Sequence, residues 1–378
     1  MERRTFIKSG ALALATSLIA NNSQAAKATP QRQRTLVLVE LRGGNDGLNT
    51  LIPFTDPLYY QLRPNLAIPK QSAIPITESL ALHPAMKALM RYWQHKEIAW
   101  LQGVGYPNNN RSHFRSIDIW NTASHYNQTS DTGWIARLLG SQYDISGVAI
   151  NSDLGPLVGQ LANGIKINDI NAFIRNSHNI HNPHTKTESQ ALAHLLNTEQ
   201  MVVKSINTLK DQVDKAPRQT QNFPNHQFGK ELSSIARLIN SGVNIPSYKI
   251  SLSNFDTHAV QSSQHARLLK ILADSLHAFA LCMKRNGHWD DVIVMTYSEF
   301  GRQIAENNSH GTDHGDASTH LIMGGKVKGG IYGANPNLGQ LHQNALPYGI
   351  DFRSIYGTIA SRWWQQENPW NKPLVPFV

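Results

Sequence analysis

A chain of 378 residues with 40% apolar and 16% charged side chains has material for a large core and a surface rich in uncharged polar groups. Its formal charge of +9 is diffuse, without a long Lys/Arg run; that excludes a dedicated nucleic-acid stripe and favours an anionic small molecule or anionic envelope substrate. The single cysteine excludes an internal disulfide, and Leu281-Cys282-Met283 is the setting of a small buried apolar residue.

Residues 1–28 have the layout of a twin-arginine export signal. Arg3-Arg4-Thr5-Phe6-Ile7-Lys8 precedes an apolar segment, Ala11 to Ala20, and small residues at Ala25, Ala26 and Ala28. The expectation is a folded protein handed to the twin-arginine translocase, then periplasmic or secreted, with residues 29–378 as a single domain. The apolar segment is shorter than the roughly 20 residues that span a bilayer, and no later stretch qualifies, so no transmembrane segment is expected in the mature protein.

The run Thr35 to Leu41 has the length and apolar content of a central parallel strand buried on both faces. It ends on Gly43-Gly44-Asn45-Asp46-Gly47, a turn that presents Asp46 at the strand's carboxyl end; the Gly-Lys-Ser/Thr close of a phosphate-cradling loop is missing. His83-Pro84 opens a helix, and Ile98 to Gln102 is a second strand. A helix is expected to start near Ser112, whose hydroxyl is a good N-cap and, between Arg111 and His113, also a candidate nucleophile. A further helix begins at Asp131-Thr132-Gly133-Trp134, and short strands are expected at Gly147–Ile150 and Gly164–Ile167. Residues 176–226 turn polar, with His178, His181 and His184 in a loop and a helical pattern from Thr187 to about Val213; this is the candidate insertion or cap. A helix from Lys230 to Asn240 leads to a third core strand, Tyr248 to Leu252.

The stretch from Asn254 to His320 is the chemical centre of the sequence. Seven of the 17 histidines lie between His258 and His320. Asp256-Thr257-His258 follows the third core strand, and a long helix is expected from Ala259 to about Arg285, carrying His265 and His277. A fourth strand, Asp291 to Thr296, delivers Ser298, Glu299 and Arg302, and Gly311-Thr312-Asp313-His314-Gly315 is a glycine-rich loop. Carboxylates and imidazoles at strand ends are the ligand chemistry of zinc or manganese. Leu321–Met323 is another short strand, Gly324–Gly330 has a hairpin-like composition, and Arg353–Trp364 is expected to be an amphipathic helix. Strands alternating with helices indicate an α/β domain with a mostly parallel central sheet and helices on both faces.

Arg42-Gly43-Gly44-Asn45-Asp46-Gly47-Leu48-Asn49, Arg63-Pro64, Leu82-His83-Pro84, Val104-Gly105-Tyr106-Pro107 and Arg111-Ser112-His113-Phe114 form an ordered motif set in the first half. It continues through Asp256-Thr257-His258, Ser298-Glu299-Phe300-Gly301-Arg302, Gly311-Thr312-Asp313-His314-Gly315 and Asp351-Phe352-Arg353. The set resembles the bacterial family catalogued as domain of unknown function 1501, which is placed with the alkaline phosphatase and sulfatase superfamily. The resemblance implies an alkaline phosphatase-like fold and one or two divalent ions at the strand ends. By position, Asp46 is similar to the first-strand aspartate holding one ion and Ser112 lies in the nucleophile's region. Asp256 with His258 or His265, together with His314, is similar to the ligand set of the other ion. Ser298-Glu299 stands where the superfamily has adjacent Asp-His, so Glu299 is the one candidate ligand there. No Cys/Ser-x-Pro-x-Arg setting exists, which argues against a formylglycine sulfatase.

The function these readings imply is an exported metal-dependent hydrolase of phosphate or related esters. Metal ligands would be Asp46, Asp256, His258, Glu299 and His314; Ser112 would be the nucleophile, Arg111 and Arg302 would grip phosphoryl oxygens, and Asp313 and Asn45 would orient ligands. The alternative is a non-catalytic binding or envelope-assembly protein on a scaffold that has lost an ion.

Overall fold

The computed structural model describes residues 33–140, 142–159, 164–177 and 220–378, with scattered positions between 189 and 213. The expected export signal, most of the proposed 176–226 insertion and His178, His181 and His184 lie outside the described residues. In chain order the strands are β1 (Thr35–Leu41), β2 (Leu51–Ile52), β3 (Ile74–Pro75), β4 (Ala81–Leu82), β5 (Ile98–Gly105), β6 (Gly147–Ile150), β7 (Gly164–Ile167), β8 (Ser247–Leu252), β9 (Val292–Tyr297), β10 (Ser318–Met323), β11 (Gly330–Tyr332) and β12 (Ile350–Asp351). The α-helices are α1 (Pro57–Leu62), α2 (Met90–Gln94), α3 (His113–Thr122), α4 (Trp134–Leu139), α5 (Ile170–Ser177), α6 (Gln227–Asn240), α7 (Gln261–Arg285) and α8 (Phe352–Thr358).

The main sheet runs β11-β5-β10-β9-β1-β8-β6-β7, with β12 also paired to β5. β1 is parallel to both β8 and β9, and every other pairing is parallel except those of β10, which is antiparallel to β5 and β9. This is a mixed α/β fold with a mostly parallel central sheet. Alternation along β1 explains why it is apolar on both sides. Val37, Val39 and Leu41 face one core, shared with α6 and α7; Leu36 and Leu38 face another, shared with α3, α4 and α8. On α7, Leu268, Leu269, Leu272, Leu276 and Phe279 are buried, each contributing roughly 1.5–3 kcal/mol of transfer free energy. Cys282 is buried on the same helix. None of the described helices is long and apolar enough to cross a membrane.

Three local expectations differ from what the chain does. The segment after His83 is a 3-10 turn, Pro84–Leu89, before the short α2, with His83 Nδ1 accepting from the Ala85 amide. The Gly324–Gly330 segment does not fold back as a hairpin; it carries the chain across the sheet so that β11 pairs parallel with β5. The expected Arg353–Trp364 helix is split: α8 is buried throughout, with Arg353 ion-paired to Asp351, and a π-helical turn, Ile359–Trp363, follows with Arg362 exposed. Such a paired arginine behaves as part of the core.

The topology decides where chemistry can occur. β1, β5, β8 and β9 run in one direction, so the loops that follow them lie along one edge of the sheet, and the loop after β9 is the one that enters the reversed β10. Asp46, His113, Asp256, Glu299 and His314 all belong to these loops or to the helix start after β5.

Candidate metal centre

The centre is built from the backbone outward. Gly43 and Gly44 take φ of +117° and +85°, and a Cβ on Gly43 would stand 2.3 Å from the Asp256 amide nitrogen, so only glycine lets the β1 and β8 loops touch. The turn aims its amides at Glu299, whose carboxylate accepts from Gly43 N at 2.8 and 3.0 Å and from Gly44 N at 3.0 Å.

Arg302 is the hub. Its wholly buried guanidinium donates to the carbonyls of Gly44 (2.8 Å), Thr312 (2.7 Å), Phe255 (3.0 Å) and Gly43, and to Asp256 Oδ1 at 2.7 Å. It therefore ties the loops after β1 and β8 to the single loop that joins β9 to β10. It does not face a ligand as an open anion clamp, because those acceptors occupy it. Arg302→Met should leave Asp256 unaimed and weaken metal affinity roughly 10- to 100-fold, read by chelator competition; unchanged affinity would contradict this role.

Three acceptor atoms then converge. His314 Nε2 lies 3.1 Å and His258 Nε2 3.0 Å from Asp256 Oδ1, and the two Nε2 atoms are 2.9 Å apart. The protons are assigned by the partners on the far side of each ring. His314 Nδ1 donates to the Arg111 carbonyl (2.8 Å), and His258 Nδ1 donates to Asp313 Oδ1 (3.0 Å). In their neutral forms both rings thus turn an Nε2 lone pair inward beside a carboxylate oxygen. Facing lone pairs at this distance repel unless a cation or proton lies among them. Burial lowers the His314 pKa, which favours the neutral ring a metal needs. Burial, the largest influence on Asp256, works to raise its pKa, but the hydrogen bond and charge of Arg302 outweigh it and the value falls to about 2.

His113, at the start of α3, completes the wall. Its Nε2 is 3.4 Å from Asp256 Oδ2 and its Nδ1 3.5 Å from Glu299 Oε1. His113, Asp256 and His314 offer ligand atoms within 4.8 Å of one another. The bond to Glu299 raises the His113 pKa, so a cation at this ring competes with a proton. Asp256 and His258 are each a little under half exposed, leaving the cluster open on one side, as a catalytic rather than a closed structural metal site requires.

The expected site residues divide accordingly. Asp256, His258 and His314 come together with Glu299 beside them through His113. Asp46 does not join them: it is buried, and its carboxylate is consumed by Arg63 Nη1 at 2.6 Å, by Gln261 and by the Leu48 and Asn49 amides. Arg63 occupies the charge-neutralising position beside it that a second ion would need. Ser112 is exposed and its hydroxyl makes no capping bond; the chain places the following residue, His113, in the cluster. Arg111 donates to Asp316 Oδ1 at 2.8 Å and serves the cluster through its carbonyl. His265 is buried on α7 against Asn45 Oδ1, so Asn45 orients His265 rather than a cluster ligand, and burial lowers the His265 pKa to about 3. His258 is therefore the partner of Asp256.

Residues 83–372 match the family model described as protein of unknown function (DUF1501). The chain belongs to DUF1501. In this DUF1501 protein the matched span holds the whole cluster, while Asp46 and Arg63 precede it. No curated protein matches the chain. Among solved structures it is similar to the C-terminal periplasmic domain of EcEptC from Escherichia coli in complex with zinc: 8% identity, 78% of this chain and 73% of that one covered, TM-score 0.39. A protein in the alkaline phosphatase superfamily from Vibrio parahaemolyticus is 14% identical over 81% of this chain and 64% of that one, with TM-score 0.38. A TAB5 alkaline phosphatase mutant with magnesium bound is 11% identical over 80% and 94% of the two chains, with TM-score 0.38.

Proposed function

We propose that this DUF1501 protein is an exported metal-dependent hydrolase of phosphate or related esters on an alkaline phosphatase-like scaffold. The observation that carries the reading is the convergence of Asp256 Oδ1, His258 Nε2 and His314 Nε2, three inward-facing acceptors within 3.1 Å of one another. Imidazole and carboxylate donors suit zinc or manganese. Asp256, His258 and His314 would hold the ion, with His113 as a further ligand, and the bound ion would supply Lewis acidity toward an ester oxygen. This chain's own residues do the rest: Arg302 aims Asp256, the Arg111 carbonyl and Asp313 fix the ring tautomers, and the Gly43–Gly44 amides hold Glu299 against His113.

The test is metal content of the purified protein followed by turnover of generic esters. About one equivalent of ion per chain with metal-dependent hydrolysis supports the reading. A bound ion with no turnover of any ester supports the second reading, a non-catalytic binding or envelope-assembly protein. That alternative is favoured by one observation: Asp46 is already neutralised by Arg63, so a second ion lacks its first-strand carboxylate.

Export through the twin-arginine translocase is part of the proposal and rests on Arg3-Arg4 and the short apolar segment after it. Converting both arginines together to lysine should hold the protein in the cytoplasm, read by cell fractionation. Undiminished delivery across the membrane would remove the export reading.

A further inference from the structure

We infer that Gln261 is a positioning residue of the metal centre: its buried amide ties the segment carrying Asp256 and His258 to the segment carrying His314, and anchors both to Asp46. The inference rests on the metal reading above and goes beyond it, because neither Gln261 nor the two threonines it holds belongs to the converging donors.

The Gln261 side chain is wholly buried in the first turn of α7. One end of its amide lies 2.5 Å from Asp46 Oδ2. A carboxylate paired with Arg63 only accepts, so the amide atom facing it is the nitrogen, and Oε1 is turned the other way. There Oε1 accepts from two hydroxyls, Thr257 Oγ1 at 3.0 Å and Thr312 Oγ1 at 2.6 Å. Both threonines are buried as well.

The places of these threonines in the chain give the bonds their meaning. Burial alternates here as it does along a strand, with Phe255 and Thr257 inside and Asp256 and His258 on the solvent side, so a grip on Thr257 holds both donors from behind. Thr312 lies two residues before His314, and its amide bonds to the Thr257 carbonyl at 3.1 Å. The Gln261 oxygen adds a second tie between the same two segments, carried by side chains. His258 Nε2 and His314 Nε2, 2.9 Å apart, ride on those segments. Arg302 aims Asp256, whereas Gln261 spaces the two imidazoles.

The same network gives Asp46 a task. Its carboxylate does not reach the cluster, but through Gln261 it steadies both segments that do, while Arg63 holds it in place at 2.6 Å. Simple filling of space does not call for these residue types. A buried amide and two buried hydroxyls are unfavourable unless each partner is present, and apolar side chains of similar volume would pack without that demand. Polar groups so placed favour one arrangement of the two segments and penalise others.

The experiment titrates zinc against a chromophoric chelator in the full-length protein, with the melting temperature of each metal-free variant measured alongside. Gln261→Met keeps the length of the side chain and loses both ends of the amide, so zinc affinity should fall roughly 10- to 100-fold. Thr257→Val and Thr312→Val remove one hydroxyl each at constant shape and should each weaken zinc binding; Thr257→Ser and Thr312→Ser keep the hydroxyl and should bind as the wild type does. Added to Gln261→Met, either valine should weaken binding no further, because the shared acceptor is already gone. The cobalt-loaded methionine variant should show an altered visible absorption band, the mark of a changed ligand arrangement. Unchanged zinc affinity in folded Gln261→Met, a fall in melting temperature alone, or full additivity of the valine losses overturns the inference and leaves the metal centre standing. Should Gln261→Met fail to fold, the valine and serine pairs decide: valine variants that bind zinc as tightly as the serine variants overturn it. A wild type that takes up no zinc overturns the metal reading itself, and this inference with it.

Discussion

Asp256→Ala is expected to abolish retention of the divalent ion and to reduce ester turnover by more than roughly a thousandfold, the loss that follows when several kcal/mol of Lewis-acid stabilisation disappear. Asp256 is the one carboxylate whose oxygen touches both inward-facing imidazoles, at 3.0 and 3.1 Å, so its removal leaves two neutral rings and a nearby guanidinium to face the cation. Neutral rings beside an unpaired positive charge cannot compete for an ion. Folding should survive, because Arg302 keeps its backbone acceptors on Gly43, Gly44, Phe255 and Thr312. The readouts are metal stoichiometry, turnover and melting temperature together. An alanine variant that keeps its ion with unchanged activity would move the centre elsewhere.

Arg63→Met is expected to produce the largest stability loss of any single change at this edge of the sheet. Arg63 and Asp46 are buried to within 1% and joined at 2.6 Å; removing one partner strands the other charge, at a cost of about 3–5 kcal/mol. The melting temperature should fall by roughly 10 °C. Replacing both, Asp46→Leu with Arg63→Met, should recover much of the loss. The dependence on pH follows from the Asp46 carboxyl. Burial works to raise its pKa, and the Arg63 charge outweighs burial and holds it below the ordinary 3.8. In the wild type the pair therefore contributes stability at and above that value, and the contribution is lost as pH falls through the lower folded value. Without Arg63 the main opposition to burial is gone and Asp46 protonates at higher pH, so the gap between variant and wild type should narrow on acidification. A variant that binds one more equivalent of metal than the wild type would instead mark Asp46 as a ligand held in reserve.

The sheet was legible because buried parallel strands announce themselves: β1, β8 and β9 are short apolar runs that each end on a polar, metal-competent motif, and their pairing follows from burial on both faces. Asp256 and His258 were legible because they follow the carboxyl end of a buried parallel strand, and His314 because of its imidazole in the glycine-rich loop between β9 and β10. What sequence reasoning missed depends on contacts between distant residues. Nothing in Gly43 to Gly47 reveals that Arg63 will neutralise Asp46, and nothing in Ser298 to Arg302 reveals that Arg302 will be occupied by carbonyls from two other loops and from the far part of its own. Ser112 and His113 differ by one position. The serine has the better propensity for a helix start, but the first residue inside the helix is the one that projects toward Asp256. The signal available was the imidazole itself, adjacent to a cap.

The grip of Arg302 on four carbonyls gives the molecule an order of events. Because the backbone segments that carry the donors are locked to each other before any ion arrives, chelation asks almost no further loss of chain freedom. On the proposed reading, a protein so arranged would be emptied and refilled while folded, a bound ion acting as an exchangeable tenant of a rigid frame and not as the keystone that holds the frame up.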